Sequence, residues 1–237
     1  MEEKVTCDRC TDKLCASKVP IFSNLSREEL VEIIAMTGHR SYHKGESVFL
    51  EGTNAATLYL INVGKIKLYK YTKEGKEQIL HILADGDFFG ELNLLKEGTY
   101  GFYAEAMAET RVCTLTKDKL RNLILKRPEI GLKILEVVSE RLLKLENLAQ
   151  NLATNDVETR IAQLILDLSK ENGRNIDRGI EIKLSLTRED MSNYIGVARE
   201  TISRKLKKFQ DEGIIEVIGN KKIILLDEER LKGHLSL

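Results

Sequence analysis

The sequence predicts an α+β chain with an all-β barrel or sandwich first, one long helix next, and a helix-turn-helix with a β-wing last. Three features carry that prediction. Short apolar runs punctuated by glycine fill residues 44–115, a heptad of apolar residues starts at Gly131, and Gly196 divides two helical patterns near the C-terminus. With 237 residues the chain has room for two modest domains, each with its own core.

Composition narrows the class. Hydrophobic residues make up 42% of the chain and charged ones 31%, which fits a globular protein rather than a disordered one. The 37 basic and 37 acidic side chains cancel, so a partner has to be inferred from local charge. Apolar runs such as Ile223 to Leu226 are far shorter than the roughly 20 residues of a bilayer span, and Glu2 and Glu3 stand where a secretory leader carries basic residues. The expectation is a cytoplasmic protein with no membrane partner. In that reducing compartment, four cysteines point to metal ligands or redox thiols before structural disulfides. No phosphate loop, metal-hydrolase motif or paired nucleophile and base suggests an enzyme.

In chain order, Asn24 to Leu30 supplies a cap and an acidic first turn, and Val31, Ile33 and Ile34 follow as the apolar side of a short helix. The runs Ser47–Leu50, Leu58–Ile61, Lys65–Tyr69 and Gln78–Ile82 are strands, separated by Gly52, Gly64 and Gly75. Gly131, Leu135, Val138, Leu142, Leu145, Ala149 and Leu152 then alternate in steps of four and three, a seam on one long helix. Such a stripe can lie on its own domain. Glu136, Glu140, Arg141, Lys144 and Glu146 flank it with both signs, which favours pairing between subunits. Ala153 to Asp156 is a hinge, Ile161, Leu164, Ile165 and Leu168 mark a further amphipathic helix, and Glu171 to Arg178 is a polar separator. The resulting division is an arm over 1–19, a barrel over 20–128, a dimerisation helix over 129–153 and a winged helix-turn-helix over 154–237.

Leu186 to Leu206 is the most informative stretch. Thr187 caps one helix, Met191, Tyr194 and Ile195 give it an inner face, and Gly196 allows the turn. On the second helix Ile202, Leu206 and Phe209 face inward, which turns Arg199, Glu200, Ser203 and Arg204 outward. Arginine can donate two hydrogen bonds to guanine and glutamate can accept from the cytosine amino group, so this quartet suits base edges in a major groove. Five basic residues against one acidic lie between Arg199 and Lys208, and Ile214–Ile218 and Lys222–Leu226 flank Gly219-Asn220 as a two-residue hairpin. Phosphate contacts are accordingly expected from Thr187, Lys205, Lys207, Lys208, Lys221 and Lys222. A merely solvated helix face is the plain alternative, and the turn, the quartet and the wing together weigh against it.

Ala198-Arg199-Glu200-Thr201-Ile202-Ser203-Arg204 resembles the recognition helix of Crp/Fnr regulators. The glycine-spaced run ending in Gly86-Asp87-Phe88-Phe89-Gly90-Glu91-Leu92 is similar to their effector domain, and the likeness runs from about Cys7 to Leu226. It implies a cyclic-nucleotide-binding-type β-barrel, or jelly roll, a homodimer, and duplex DNA with a palindrome of TGA-containing half-sites. Glu200 and Arg204 would read the TGA. Arg199 resembles the additional guanine reader of the catabolite-activator branch, whereas Ser203 resembles the oxygen-sensor branch, which leaves TGTGA and TTGAT both open. RNA polymerase is a partner if the protein activates.

Cys7, Cys10 and Cys15 are spaced Cys-x2-Cys-x4-Cys, and Cys113 lies in the strand-like run Val112 to Leu115. Four thiolates are the usual complement of an iron–sulfur cluster. The arrangement resembles the oxygen-responsive Fnr branch, which implies a [4Fe–4S] centre whose oxidation releases the dimer. The run Tyr103 to Cys113 resembles the strand carrying that branch's fourth ligand. The better-known pattern has five residues between the second and third cysteines, and this chain has four. Zinc, a thiol–disulfide switch and cysteines without a ligand role are the alternatives. His39 and His43 are read as surface histidines and His81 as a core residue, although haem sensing exists in the family. Gly90-Glu91-Leu92 resembles the start of the cyclic-nucleotide cassette, whose glutamate holds a ribose hydroxyl. That cassette also needs an arginine for the phosphate, and Gly98 to Tyr103 has no basic residue. A regulatory subunit with such a barrel and no DNA binding is the rival class, and the helix-turn-helix separates the two.

Overall fold

A computed structural model of the chain describes residues 15–22, 25–91, 98–153 and 157–235, with backbone alone for residues 15, 144, 145, 147–153 and 171. Cys7, Cys10, Leu92 and the hinge residues 154–156 lie outside the described residues, as do the side chains of Cys15, Leu145, Ala149 and Leu152. The contacts divide the chain into two units. The first runs to Tyr71 and resumes over Ile79–Leu142, and the second comprises Thr72–Gln78 and Leu143–Leu237.

The first unit begins with a 3-10 turn over Cys15–Lys18 and helix α1, Arg27–Met36. The hydroxyl of Ser26 accepts from the backbone of Glu29 at 3.3 Å, and the Glu29 carboxylate accepts from the Ser26 N–H at 2.7 Å, the reciprocal cap the sequence suggests. Leu30 and Ile33, three apart on one face, are buried, whereas Val31 lies off that face and points to solvent.

Eight strands follow: β1 (Gly38–Tyr42), β2 (Ser47–Phe49), β3 (Thr57–Val63), β4 (Ile66–Tyr71), β5 (Glu77–Leu83), β6 (Phe88–Phe89), β7 (Tyr103–Ala106) and β8 (Thr110–Thr116). They form two four-stranded sheets, ordered β1-β8-β3-β6 and β2-β7-β4-β5. Strand alternation decides what each face buries. Tyr59, Ile61, Phe89 and Val112 of one sheet join Phe49, Ile66, Leu68 and Ala104 of the other in a core between the sheets. Leu58, Leu60, Cys113 and Leu115 point the opposite way and are covered by Ala16, Val19, Phe22, Leu30 and Ile33.

The run from Tyr103 to Cys113 is not one strand. It breaks at residues 107–109, so β7 pairs with β2 and β4 while β8 pairs with β1 and β3. The Thr110 hydroxyl, within hydrogen-bond distance of the carbonyls of Ala108 and Lys65, anchors this corner. Helix α2 (Lys117–Lys126) follows β8, and α3 (Pro128–Ala153) follows α2. Ile130 and Ile134 of α3 complete the outer core. Leu132, Leu135, Leu142 and Leu143 stay more than half exposed, and Val138 is only partly buried. An isolated surface rarely leaves so many leucines on one helix without a covering partner.

The second unit holds α4 (Val157–Asn172), β9 (Gly173–Ile176), β10 (Gly179–Lys183), α5 (Arg188–Ile195), α6 (Arg199–Asp211), β11 (Ile215–Ile218), β12 (Lys222–Leu225) and α7 (Glu228–Gly233). The sheet order is β11-β12-β10-β9. Glu171 to Arg178, expected as a separator, instead contains β9 and the turn into β10. Its outward polar residues hid an edge hairpin, paired through Ile180↔Asn175 and Ile182↔Gly173, which joins the sheet where Ile180 meets Leu225 and Ile182 meets Ile223. Among the described residues no helix is long and apolar enough to cross a membrane.

Candidate nucleic-acid interface and sensory site

In α5 the Thr187 hydroxyl accepts from the Asp190 N–H at 3.1 Å, and Asp190 accepts from the Thr187 N–H at 2.8 Å. Gly196 ends the helix at φ 78°, where a side chain is strained, and its N–H donates to Ser192 at 2.8 Å. The chain then starts α6 at once. Ile202, Leu206 and Phe209 are buried, while Arg199, Glu200, Ser203, Arg204 and Lys207 are exposed together. Arginine and glutamate are thus held in fixed rotation on a rigid helix, clear of the protein's own core.

The expected phosphate contacts divide. Lys207 and Lys221 are exposed. Lys205 instead donates to Glu158 of α4 at 2.5 Å, and Lys208 donates to the same carboxylate at 2.8 Å. Hydrogen bonds from Lys205 and then Lys208 hold the Glu158 carboxyl below its usual range. Lys222 is likewise paired with Glu181 at 2.6 Å, and that bond lowers the Glu181 carboxyl. The wing has three connecting residues rather than two, because Ile218 pairs with Lys222 and Gly219, Asn220 and Lys221 all lie in the turn. Arg188, absent from the expected set, is half-buried, and desolvation lowers its guanidinium.

In the first unit, Cys113 is 4% exposed, and its sulfur lies 3.5 Å from Nδ1 of His39. His39 and Cys113 are direct register partners across β1 and β8. His39 is therefore partly buried, with its ring turned to Cys113. Of the loop or strand that Gly38, Ser41 and Gly45 allow, the structure has a strand over Gly38–Tyr42, and its partner is visible only in three dimensions. Cys113 also lines a small cavity with Ala16, Val19, Ile34, Thr37, Leu60, Ile61 and Asn62. Ala16 directly follows Cys15. Among the described residues no three metal-ligating side chains converge.

Gly90 and Glu91 directly follow β6, whose Phe88 pairs with Leu60 of β3. Gly90 has φ 89°, and a Cβ there would stand 2.4 Å from the Thr57 carbonyl oxygen. Glu91 is 6% exposed and accepts from Arg141 of α3 at 2.6 Å, while Arg141 also donates to the Phe88 carbonyl and lies over the Phe88 ring. Between the sheets, Phe49 stacks on Tyr100 with ring centroids 3.7 Å apart, and Tyr59 stacks on Phe89 at 4.9 Å. Burial, and then Tyr100, push the Tyr59 phenol up.

Comparison with known proteins matches residues 39–127 to the cyclic nucleotide-binding domain and residues 159–233 to the Crp-like helix-turn-helix domain. The protein named "Probable transcriptional regulator flp" of Lacticaseibacillus casei is 32% identical over 215 residues, covering 91% of this chain and 95% of that one. A CRP-like cAMP-activated global transcriptional regulator of Mycobacterium tuberculosis is 30% identical over 91% of this chain and 96% of its own. Among solved structures, the c-di-GMP responsive global regulator CLP of Xanthomonas campestris superposes with TM-score 0.72 at 25% identity, over 84% of this chain and 99% of that one. A CooA mutant from Carboxydothermus hydrogenoformans gives TM-score 0.79 at 23% identity over 92% and 96%, a likeness of fold.

Proposed function

Because this chain belongs to the Crp/Fnr family of DNA-binding transcriptional regulators, we propose that it couples a redox signal at Cys113 to the reading of a palindromic DNA site. Crp/Fnr regulators are dimeric and work with RNA polymerase. In this chain the exposed leucines of α3, Leu135 and Leu142 among them, are the surface proposed to face a second copy. Glu200 and Arg204 are the proposed readers of a TGA half-site, flanked by Arg199 and Ser203, with Thr187, Lys207 and Lys221 on phosphates.

One observation carries the redox reading: Cys113 faces the N-terminal segment across a shared cavity instead of the interior between the sheets. A ligand on a strand and ligands on the segment that covers it would be drawn together by one cluster. The donor set Cys7, Cys10, Cys15 and Cys113 suits an iron–sulfur centre by its four thiolates, proposed as [4Fe–4S]. Such a centre, when bound, supplies reactivity toward oxidants. The chain's own part is to hold Cys113 on a buried strand and to make packing of Ala16 and Val19 depend on what Cys113 binds.

A cyclic nucleotide is the second reading, because a relative is named for cAMP. The described residues do not fit it. Glu91 is already tied to Arg141, stacked aromatic rings fill the space between the sheets, and Gly98 to Tyr103 offers no cation. The deciding experiment measures iron, acid-labile sulfide and zinc in anaerobically purified protein, with its visible spectrum before and after air. About four iron and four sulfide per chain with an air-sensitive absorbance are expected. Zinc alone, or no metal after reconstitution, would sink the cluster and leave a thiol switch.

A further inference from the structure

Three consecutive residues in the first turn of α4 each hold a different helix of the second unit. Glu158 takes Lys205 and Lys208 of α6. The Thr159 hydroxyl donates to the carbonyl of His234, just past α7, at 2.8 Å. Arg160, 8% exposed, donates to the carbonyl of Ile195, the last residue of α5, at 2.5 Å. Lys205 and Lys208 are three apart, so they share one flank of α6, whereas Glu200, Arg204 and Lys207 follow a 3.6-residue period on its outward face. The helix thus carries two sets of cations, one on its outward face and one, Lys205 and the still exposed Lys208, paired with Glu158.

We propose that Glu158 is a positioning residue for DNA recognition: by clamping Lys205 and Lys208 it fixes the rotation of α6 and withholds both lysines from phosphate. The proposal rests on the assignment of α6 as the reading helix. A carboxylate shared by two ammonium groups at 2.5 to 2.8 Å takes up charge that would otherwise attract a phosphate, so these lysines add rigidity and little non-specific attraction. Glu212, 3.8 Å from Lys208, and His234, 3.8 Å from Glu158, border the clamp and leave Glu158 as the carboxylate that bridges both lysines.

The test uses the full chain on a specific palindrome and on a scrambled duplex, across a salt series. Glu158→Gln removes the carboxylate that both lysines share, while Glu212 stays near Lys208. Binding to scrambled DNA should strengthen and its log–log salt slope steepen by about one to two, ~0.9 for each phosphate neutralised. The ratio of specific to scrambled affinity should fall roughly tenfold, the lower end for one good base contact. Lys205→Met with Lys208→Met should lower the ratio with the slope unchanged, and adding Glu158→Gln to that pair should change nothing more. An unchanged slope in Glu158→Gln, or a slope already reduced by about two in the double lysine variant, overturns the clamp. A melting curve shows whether Glu158→Gln folds, and if it does not, the salt slope of the lysine pair decides between clamped and phosphate-bound lysines. Arg204→Ala is the separate control. If it leaves sequence choice intact, the base-reading assignment fails, while the salt slopes still judge Glu158.

Discussion

Two carboxylates in this protein hold helices in place, and they do so in different surroundings. Glu91 is nearly sealed from water and, among the described residues, binds a single arginine and leaves its second oxygen buried without a hydrogen bond. Glu158 lies nearer the surface and binds two lysines that remain partly solvated. A buried pair contributes little net stability, but breaking it is costly because the remaining charge has nowhere to be solvated. A partly solvated pair can be broken with small loss, since water and salt replace it. The first therefore acts as an interlock between α3 and the strand end, and the second as an adjustable clamp.

The largest expected effect follows from that contrast. Arg141→Ala should destabilise the first unit by about 3–5 kcal/mol in denaturant unfolding, because it strands Glu91. Restoration of stability by Glu91→Gln in the same chain would confirm that the lone charge is the cause, and a loss below about 1 kcal/mol in the single variant would remove the distinction between the two carboxylates. Next in size, Arg204→Ala should cost about 1–3 kcal/mol of specific DNA binding and relax choice at one base pair, as read by competition with single-base variants. Thr187→Ala removes the cap of α5 and should cost about 1 kcal/mol of stability in the second unit. The smallest effect is expected from pH. Lys205 and Lys208 lower the Glu158 carboxyl, so the clamp contributes fully above its unfolded value, near 4.5, and is lost as pH falls through the lower folded value. A melting temperature of Glu158→Gln that tracks the parent's through that acid window would show that the clamp stores no stability.

The same two regions differ in how much of them the sequence exposes. Helix α6 was legible because its information is local: Ile202, Leu206 and Phe209 at helical spacing leave Arg199, Glu200, Ser203 and Arg204 on the other side whatever surrounds them. The fates of Lys205 and Lys208 were not legible, since Glu158 is some fifty residues away in the chain. The cysteine count and spacing drew attention to Cys113, but nothing near it in sequence names His39 as its neighbour.

By itself, then, the sequence determined what depends on period and local chemistry: strands punctuated by glycine, the amphipathic long helix, the Thr187 cap, the Gly196 turn and the outward quartet of α6. Only the tertiary structure decided which partners distant groups would find. It turned Cys113 toward Ala16 and Val19 through the alternation of β8, gave Glu91 to Arg141, drew β9 out of a polar stretch, and paired two of the lysines of α6 with Glu158. Ion pairs and sheet register join residues far apart in the chain, and a repeat of two or 3.6 residues carries no record of them.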